Sequence, residues 1–307
     1  MLKFLKQPMM RKVLYALAPI YLYSIWMYGL RVLFSAAIVF ILGIGTEWVF
    51  ERGKSGKVSE AVLVTCALYA LAFPPRTPVW ILGLGIVFAV SLAKGAYGGF
   101  GRNIFNPAIA GRAFVYISFA VVLSASYTSF GNFGIGAADV VASATPLGAM
   151  RAGQGTDILD LLLGLRPGAM GEGMVLLVAA AALYLIATKT ASWRIILSSI
   201  AAAAALNAAL WYGGVPKALP MESLLAGSFL FVTVFMATDP VSAPKRQPSH
   251  YLYGALVGFT VVVLRTFSAF PEGTSFALLL ANTFATLIDI GVDSAKKPVA
   301  PQKGGAK

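Results

Sequence analysis

Apolar runs long enough to cross a membrane recur along this chain with only short polar breaks between them. The runs cover approximately 13–30, 33–50, 59–75, 79–95, 107–125, 174–188, 193–213, 221–238, 251–268 and 275–290. A helix needs about 17 to 25 apolar residues to cross the hydrocarbon core, so these runs read as about ten spans. Composition agrees, with 58% hydrophobic and 12% charged residues among 307; soluble domains carry about a quarter charged residues. The expected fold class is an all-α polytopic membrane protein. The first run follows Lys3, Lys6, Arg11 and Lys12 as a secretory signal would, but a second run succeeds it at once, so it reads as an uncleaved first span.

The net charge of +12 does not point to nucleic acid, because the cations neither gather on one domain nor interleave with aromatic residues. They follow the positive-inside rule. With the N-terminus cytoplasmic, that side receives Lys3, Lys6, Arg11, Lys12, Arg52, Lys54, Lys57, Lys94, Arg102, Arg112, Lys189, Arg194, Lys245, Arg246 and the lysines of the tail. The opposite side keeps Arg31, Arg76, Arg151, Arg166, Lys217 and Arg265. About ten spans with both termini inside produce this asymmetry. A single cysteine, Cys66, and a single histidine, His250, leave no set for an iron–sulfur cluster, a zinc site or a hydrolytic triad.

The longest interruption divides the chain into a first five-helix unit (1–125), a non-cytoplasmic loop (126–173), a second five-helix unit (174–290) and a cytoplasmic tail (291–307). An odd number of spans per half sets the halves in opposite orientation. Proline breaks match this: Pro75 and Pro107 lie 32 positions apart, Pro240 and Pro271 lie 31. That spacing points to an inverted repeat, which transporters use to build midplane sites from interrupted helices.

Intramembrane polar groups are costly, so each is a functional candidate. The densest set is "KGAYGGFGRNIFNPAIAGRAF", where Gly95, Gly98, Gly99 and Gly101 permit sharp turns, and Asn103, Asn106 and Arg112 offer polar contacts. In the second half Asp239, Glu272, Asn282 and Asp289 lie at or near the breaks, and Asp239, Glu272 and Asp289 are candidates for an ion path. Glu47, near the end of the second span, is expected to reach the membrane interface.

Several motifs in order, "GGFGRNIFNPAIAGRAF", "FMATDPVSA" and "FPEGTSFALLLANTFATLID", resemble the family of NqrB and RnfD. These are membrane subunits of the sodium-pumping NADH:quinone oxidoreductase and of the Rnf ferredoxin:NAD oxidoreductase. The resemblance implies about ten transmembrane helices in two inverted five-helix repeats, similar to urea transporters. It also implies FMN bound covalently through its phosphate to a threonine in the pattern D-x-x-S-x-A-T, installed by a flavin transferase. Here the pattern falls on Asp139, Ser143, Ala144 and Thr145, with Thr145 as the attachment residue and Ala142 where a hydroxyl residue is usual. A second, noncovalent flavin, riboflavin, is implied among the helices, with Asn103, Asn106 and Arg112 as wall positions.

The implied function is electron transfer coupled to ion movement, within a multi-subunit complex of the bacterial inner membrane. The short N-terminus and "SATPL" resemble RnfD and set the first expectation. "PVSA", "FPEG" and "TASWRI" resemble NqrB, and on that alternative quinone becomes a partner. A reading of another class is a flavin-free transporter or channel around Asn106 and Glu272.

Overall fold

The computed structural model describes residues 3–54, 56–127, 145–152, 154–215, 221–268 and 273–296. A helix occupies each of the ten apolar runs. The first half holds α1 (Pro8–Tyr28), α2 (Arg31–Glu51), α3 (Glu60–Leu71), α4 (Val79–Val90) and α5 (Pro107–Ser118), with the short α6 (Ala120–Ser124) behind a break at Phe119. The loop carries α7 (Pro146–Arg151) and α8 (Ile158–Leu163). The second half holds α9 (Val175–Ala187), α10 (Trp193–Tyr212), α11 (Phe229–Phe235), α12 (Gln247–Phe267) and α13 (Thr274–Lys296). Four of these, α2, α10, α12 and α13, are long and apolar enough to cross a membrane.

Two features correct the expectation of ten complete spans in an all-α chain. The runs expected at 59–75 and 221–238 hold helices of 12 and 7 residues. At 1.5 Å per residue these reach about 18 and 10 Å, against a hydrocarbon core of about 30 Å. Pro74 and Pro75 follow the first, and Asp239–Pro240 the second. Proline has no amide hydrogen to donate and disfavours helical backbone in the residue before it, so neither helix runs on. The second correction is a parallel two-stranded sheet, β1 (Lys3–Leu5) with β2 (Lys57–Ser59).

The two halves use the same pairings. In the first, α2 packs on α3 and α4, and α5 packs on α3 and α4. In the second, α10 packs on α11 and α12, and α13 packs on α11 and α12. Between the halves, α1 meets α9 and α5 meets α13. The closest approach joins α10 and α12 through Gly254 and Gly258, the small-residue spacing that brings membrane helices together. A Cβ on Gly258 would meet the Ser199 carbonyl and sit 3.0 Å from the Ala203 nitrogen, both backbone atoms that cannot swing aside.

The last residues of the loop do not stay outside the bundle. Met170 N–H donates to the Phe73 carbonyl, and Gly171 N–H to that of Leu71, so they satisfy carbonyls at and just beyond the end of α3. A Cβ at Gly171 would stand 2.9 Å from Leu71 and 3.0 Å from Phe231, so the loop threads between the two shortened helices where only glycine fits. Gly258→Ala is expected to lower stability by about 1–3 kcal/mol through overpacking. Gly45→Ala, with nothing within 4 Å of its Cβ, is expected to cost nothing. Thermal unfolding of the two variants in detergent distinguishes them.

Candidate functional site

Helix α5 begins at Pro107, whose missing N–H is harmless at a first helical position. Asn106 caps it, its side-chain oxygen accepting from Ala108 N (3.0 Å) and Ile109 N (3.3 Å). The same side chain donates to the Met236 carbonyl at 3.5 Å and to Asp239 Oδ2 at 3.4 Å. Its backbone N–H donates to Asn282 Oδ1 at 3.3 Å, and Asn282 in turn donates to Tyr253 Oη at 2.6 Å and to the Ser242 carbonyl. Asp239 accepts from Ser242 Oγ (2.9 Å) and Val241 N (3.2 Å). The break of the first half is thus stitched to the break of the second through Asn106, Asp239 and Asn282. Asn103 stays local, donating to the Phe105 carbonyl at 2.9 Å.

Beside this stitch lies a cavity of about 60 Å³, lined by Thr65, Lys94, Phe100, Asn106, Thr238 and Asp239 among others. A second, of about 210 Å³, is lined by Arg102, Asn103, Ser242, Lys245, Asn282 and Asp289. Sites for drug-sized ligands run to about 300–1,000 Å³. Neither of these two cavities has the room a riboflavin ring system needs. The smaller has room for a few waters or one small ion.

Other candidates fall elsewhere. Asp289 accepts the backbone N–H of Lys245 (2.7 Å) and Arg246 (3.1 Å), which makes it an anchor for the start of α12. Arg112, expected on the side of the N-terminus, reaches Glu172 of the loop at 3.2 Å, with both side chains buried. Its guanidinium also lies 4.9 Å from the Tyr116 ring centroid. Asp139, Ser143, Ala144 and Glu272 lie outside the described residues.

Thr145 caps α7, its hydroxyl oxygen accepting from Gly148 N at 3.2 Å. It is half-buried, while Leu147 and Met150 behind it pack with Leu161 and Ala226 in a cluster separate from the main core. Arg151 at the other end of α7 donates to the carbonyls of Arg265 and Ser268, fixing α7 to the end of α12. A phosphoester at Thr145 Oγ1 would keep an oxygen able to accept from Gly148, so the residue fits covalent attachment of a phosphate group.

Sequence reasoning missed a buried cluster. Glu47 is buried and paired: it meets Lys94 at 2.6 Å and accepts from Ser59 N (3.0 Å) and Oγ (2.5 Å). Lys94 also donates to Ser59 Oγ at 2.8 Å, from a single π-helical turn (Ser91–Gly95) that continues α4. The signal was present as one acid in the second span and one base in the fourth, but nothing in the spacing pairs them. Arg166 and Arg265 were likewise unassigned; both are buried and donate to carbonyls of the 223–226 segment, and Arg166 also to that of Glu172.

A sequence model described as the NQR2, RnfD, RnfE family matches residues 5–297. The chain belongs to that family. It is 37% identical over 259 residues to the NqrB subunit of the Na(+)-translocating NADH-quinone reductase of Chromohalobacter salexigens, covering 82% of this chain and 63% of the relative. With the NqrB subunit from Pseudomonas paraeruginosa it shares 39% over 265 residues, covering 81% and 64%. With that of Yersinia pestis it shares 36% over 279 residues, covering 84% and 65%. The chain therefore spans just under two thirds of the length of these family members.

Removing one partner of a buried ion pair strands a charge and costs about 3–5 kcal/mol, whereas removing both with apolar replacements is often near neutral. Lys94→Met is therefore expected to lower the thermal midpoint in detergent sharply. Combining it with Glu47→Leu is expected to recover most of the loss.

Proposed function

We propose that this chain is an ion-coupled electron-transfer subunit of the NqrB type, acting within a multi-subunit NADH:quinone oxidoreductase of the bacterial inner membrane. The RnfD-like expectation gives way because the relatives just described are named as subunits of a quinone reductase. On this reading FMN is esterified to Thr145 by a flavin transferase, and quinone is a partner of the assembly. The observation that carries it is Thr145 itself: a half-buried hydroxyl at the start of a helix that Arg151 pins to α12.

Two inverted five-helix repeats in about ten passages belong to the same proposal, supported by the matched packing pairs of the two halves. Orientation is supported by how the charges assemble. Arg11 with Glu60, Lys94 with Glu47, and Arg246 with Asp293 belong to the basic side. Arg31 with the carbonyls of Pro75 and Arg76, and Arg151 with that of Arg265, belong to the other side. Arg112 alone among these reaches from one set to the other.

The flavin supplies one- and two-electron redox chemistry when bound. The chain holds its attachment point at a fixed place through the cap at Thr145 and the Arg151 clamp. Asp239, facing the small cavity with Thr65 and Thr238, supplies the hard oxygen chemistry that suits a small cation in transit.

In-gel fluorescence of the denatured polypeptide tests the attachment. After co-expression with a flavin transferase a fluorescent band is expected, lost in Thr145→Ala and kept in Thr145→Ser. A dark band from the unaltered chain, as a flavin-free transporter would give, or a bright one from Thr145→Ala, overturns it.

A further inference from the structure

The sheet formed by β1 and β2 is open on one side. The pair is parallel and three residues long, with Lys3 opposite Lys57, Phe4 opposite Val58 and Leu5 opposite Ser59. On the β2 side the edge is closed: Val58 and Ser59 are buried, and the Ser59 N–H is taken by Glu47. On the β1 side all three residues are exposed, with Phe4 at 40% and Leu5 at 46%. The backbone groups of β1 that do not pair with β2 therefore face outward, and such an edge is a template for another strand.

The sheet is held in place beyond its own few bonds. Just past β1, Gln7 N–H donates to Glu60 Oε2 at 2.6 Å, while Gln7 Oε1 accepts from Ala61 N at 2.9 Å. Arg11 closes on the Glu60 carboxylate with three contacts of 2.5 to 3.0 Å. The edge is consequently presented in a fixed register, so a joining strand has little ordering left to supply on this side.

Charge selects what can join. Lys3, Lys6, Arg52, Lys54 and Lys57 are exposed around the sheet. A second copy of the same strand would add another lysine beside the Lys3–Lys57 pair, and further like charge there opposes that pairing. The same lysines favour a strand bearing carboxylates. Phe4 shares its face with Val58, so a third strand would also cover the apolar surface that Phe4 leaves exposed.

We propose that the outer edge of β1 receives an acidic, extended segment of another protein chain as the third strand of this sheet. Backbone pairing gives the affinity, and carboxylates beside Lys3 and Lys6 give the selectivity, as in other strand-addition complexes. A membrane surface is the weaker match, because lipid offers no ladder of donors and acceptors to the open backbone.

The test uses the full chain in nanodiscs of neutral lipid and a fluorescein-labelled peptide of three Glu-Val repeats, read by anisotropy. Binding is expected, together with a shift of isotope-labelled peptide carbonyls to the β-sheet infrared band. A peptide of three Glu-Pro repeats keeps the charge but has no amide donors at its prolines, and is expected not to bind. Lys3→Glu combined with Lys6→Glu is expected to weaken the Glu-Val peptide by at least about tenfold, equivalent to 1.4 kcal/mol. The thermal midpoint of the double variant, expected unchanged, shows that the fold is intact. Equal binding of the two peptides, or binding without the infrared shift, overturns the proposal. So does unaltered affinity in the double variant, or displacement of the Glu-Val peptide by anionic lipid added to the nanodiscs.

Discussion

Backbone that leaves a helix inside the bundle must find hydrogen-bond partners there, since lipid offers none. The molecule meets that demand twice with side chains. At one end Asn106, Asn282 and Asp239 tie the start of α5 to the chain after α11. At the other, Arg166 and Arg265 occupy the carbonyls of the segment leading into α11, and Ser24 donates to the Met170 carbonyl where the loop enters. These contacts take up backbone groups that the shortened helices α3 and α11 leave free where proline stops them.

This arrangement explains why the polar residues are so few and so unevenly placed. Each of Asn106, Asn282, Arg166 and Arg265 closes a gap between elements far apart in sequence. The two openings beside the stitch are small and suit ions and water better than a flavin. Covalent attachment at Thr145, in a loop with its own small apolar cluster, would not need an opening among the helices at all.

The ten apolar runs and the breaks at Pro75, Pro107 and Pro240 were legible because lipid solvent and proline chemistry both act locally. Asn106, Asp239 and Asn282 were legible as polar residues at or near the breaks, but not their contact with one another. What could not be read depended on three-dimensional register. Glu47 stands near the end of a span and looks interfacial until α4 brings Lys94 beside it. Arg112 looks basic-side by its place in sequence, yet its partner sits 60 residues later in the loop. The sheet was invisible because three-residue strands carry no periodicity. Asp289 had the composition of an ion-path residue and the geometry of a helix anchor.

The π-helical turn at Ser91–Gly95 ties two features of the site to one piece of backbone. A π turn holds one residue more than the α-helix around it, and such turns are frequent at functional sites. Here it closes α4, and the chain leaves it directly for the glycine-rich turns that follow. The Lys94 contact with Glu47 and the entry into that stretch therefore share one turn of backbone. Shortening the turn by one residue would disturb both together, so its length matters beside the identity of Lys94.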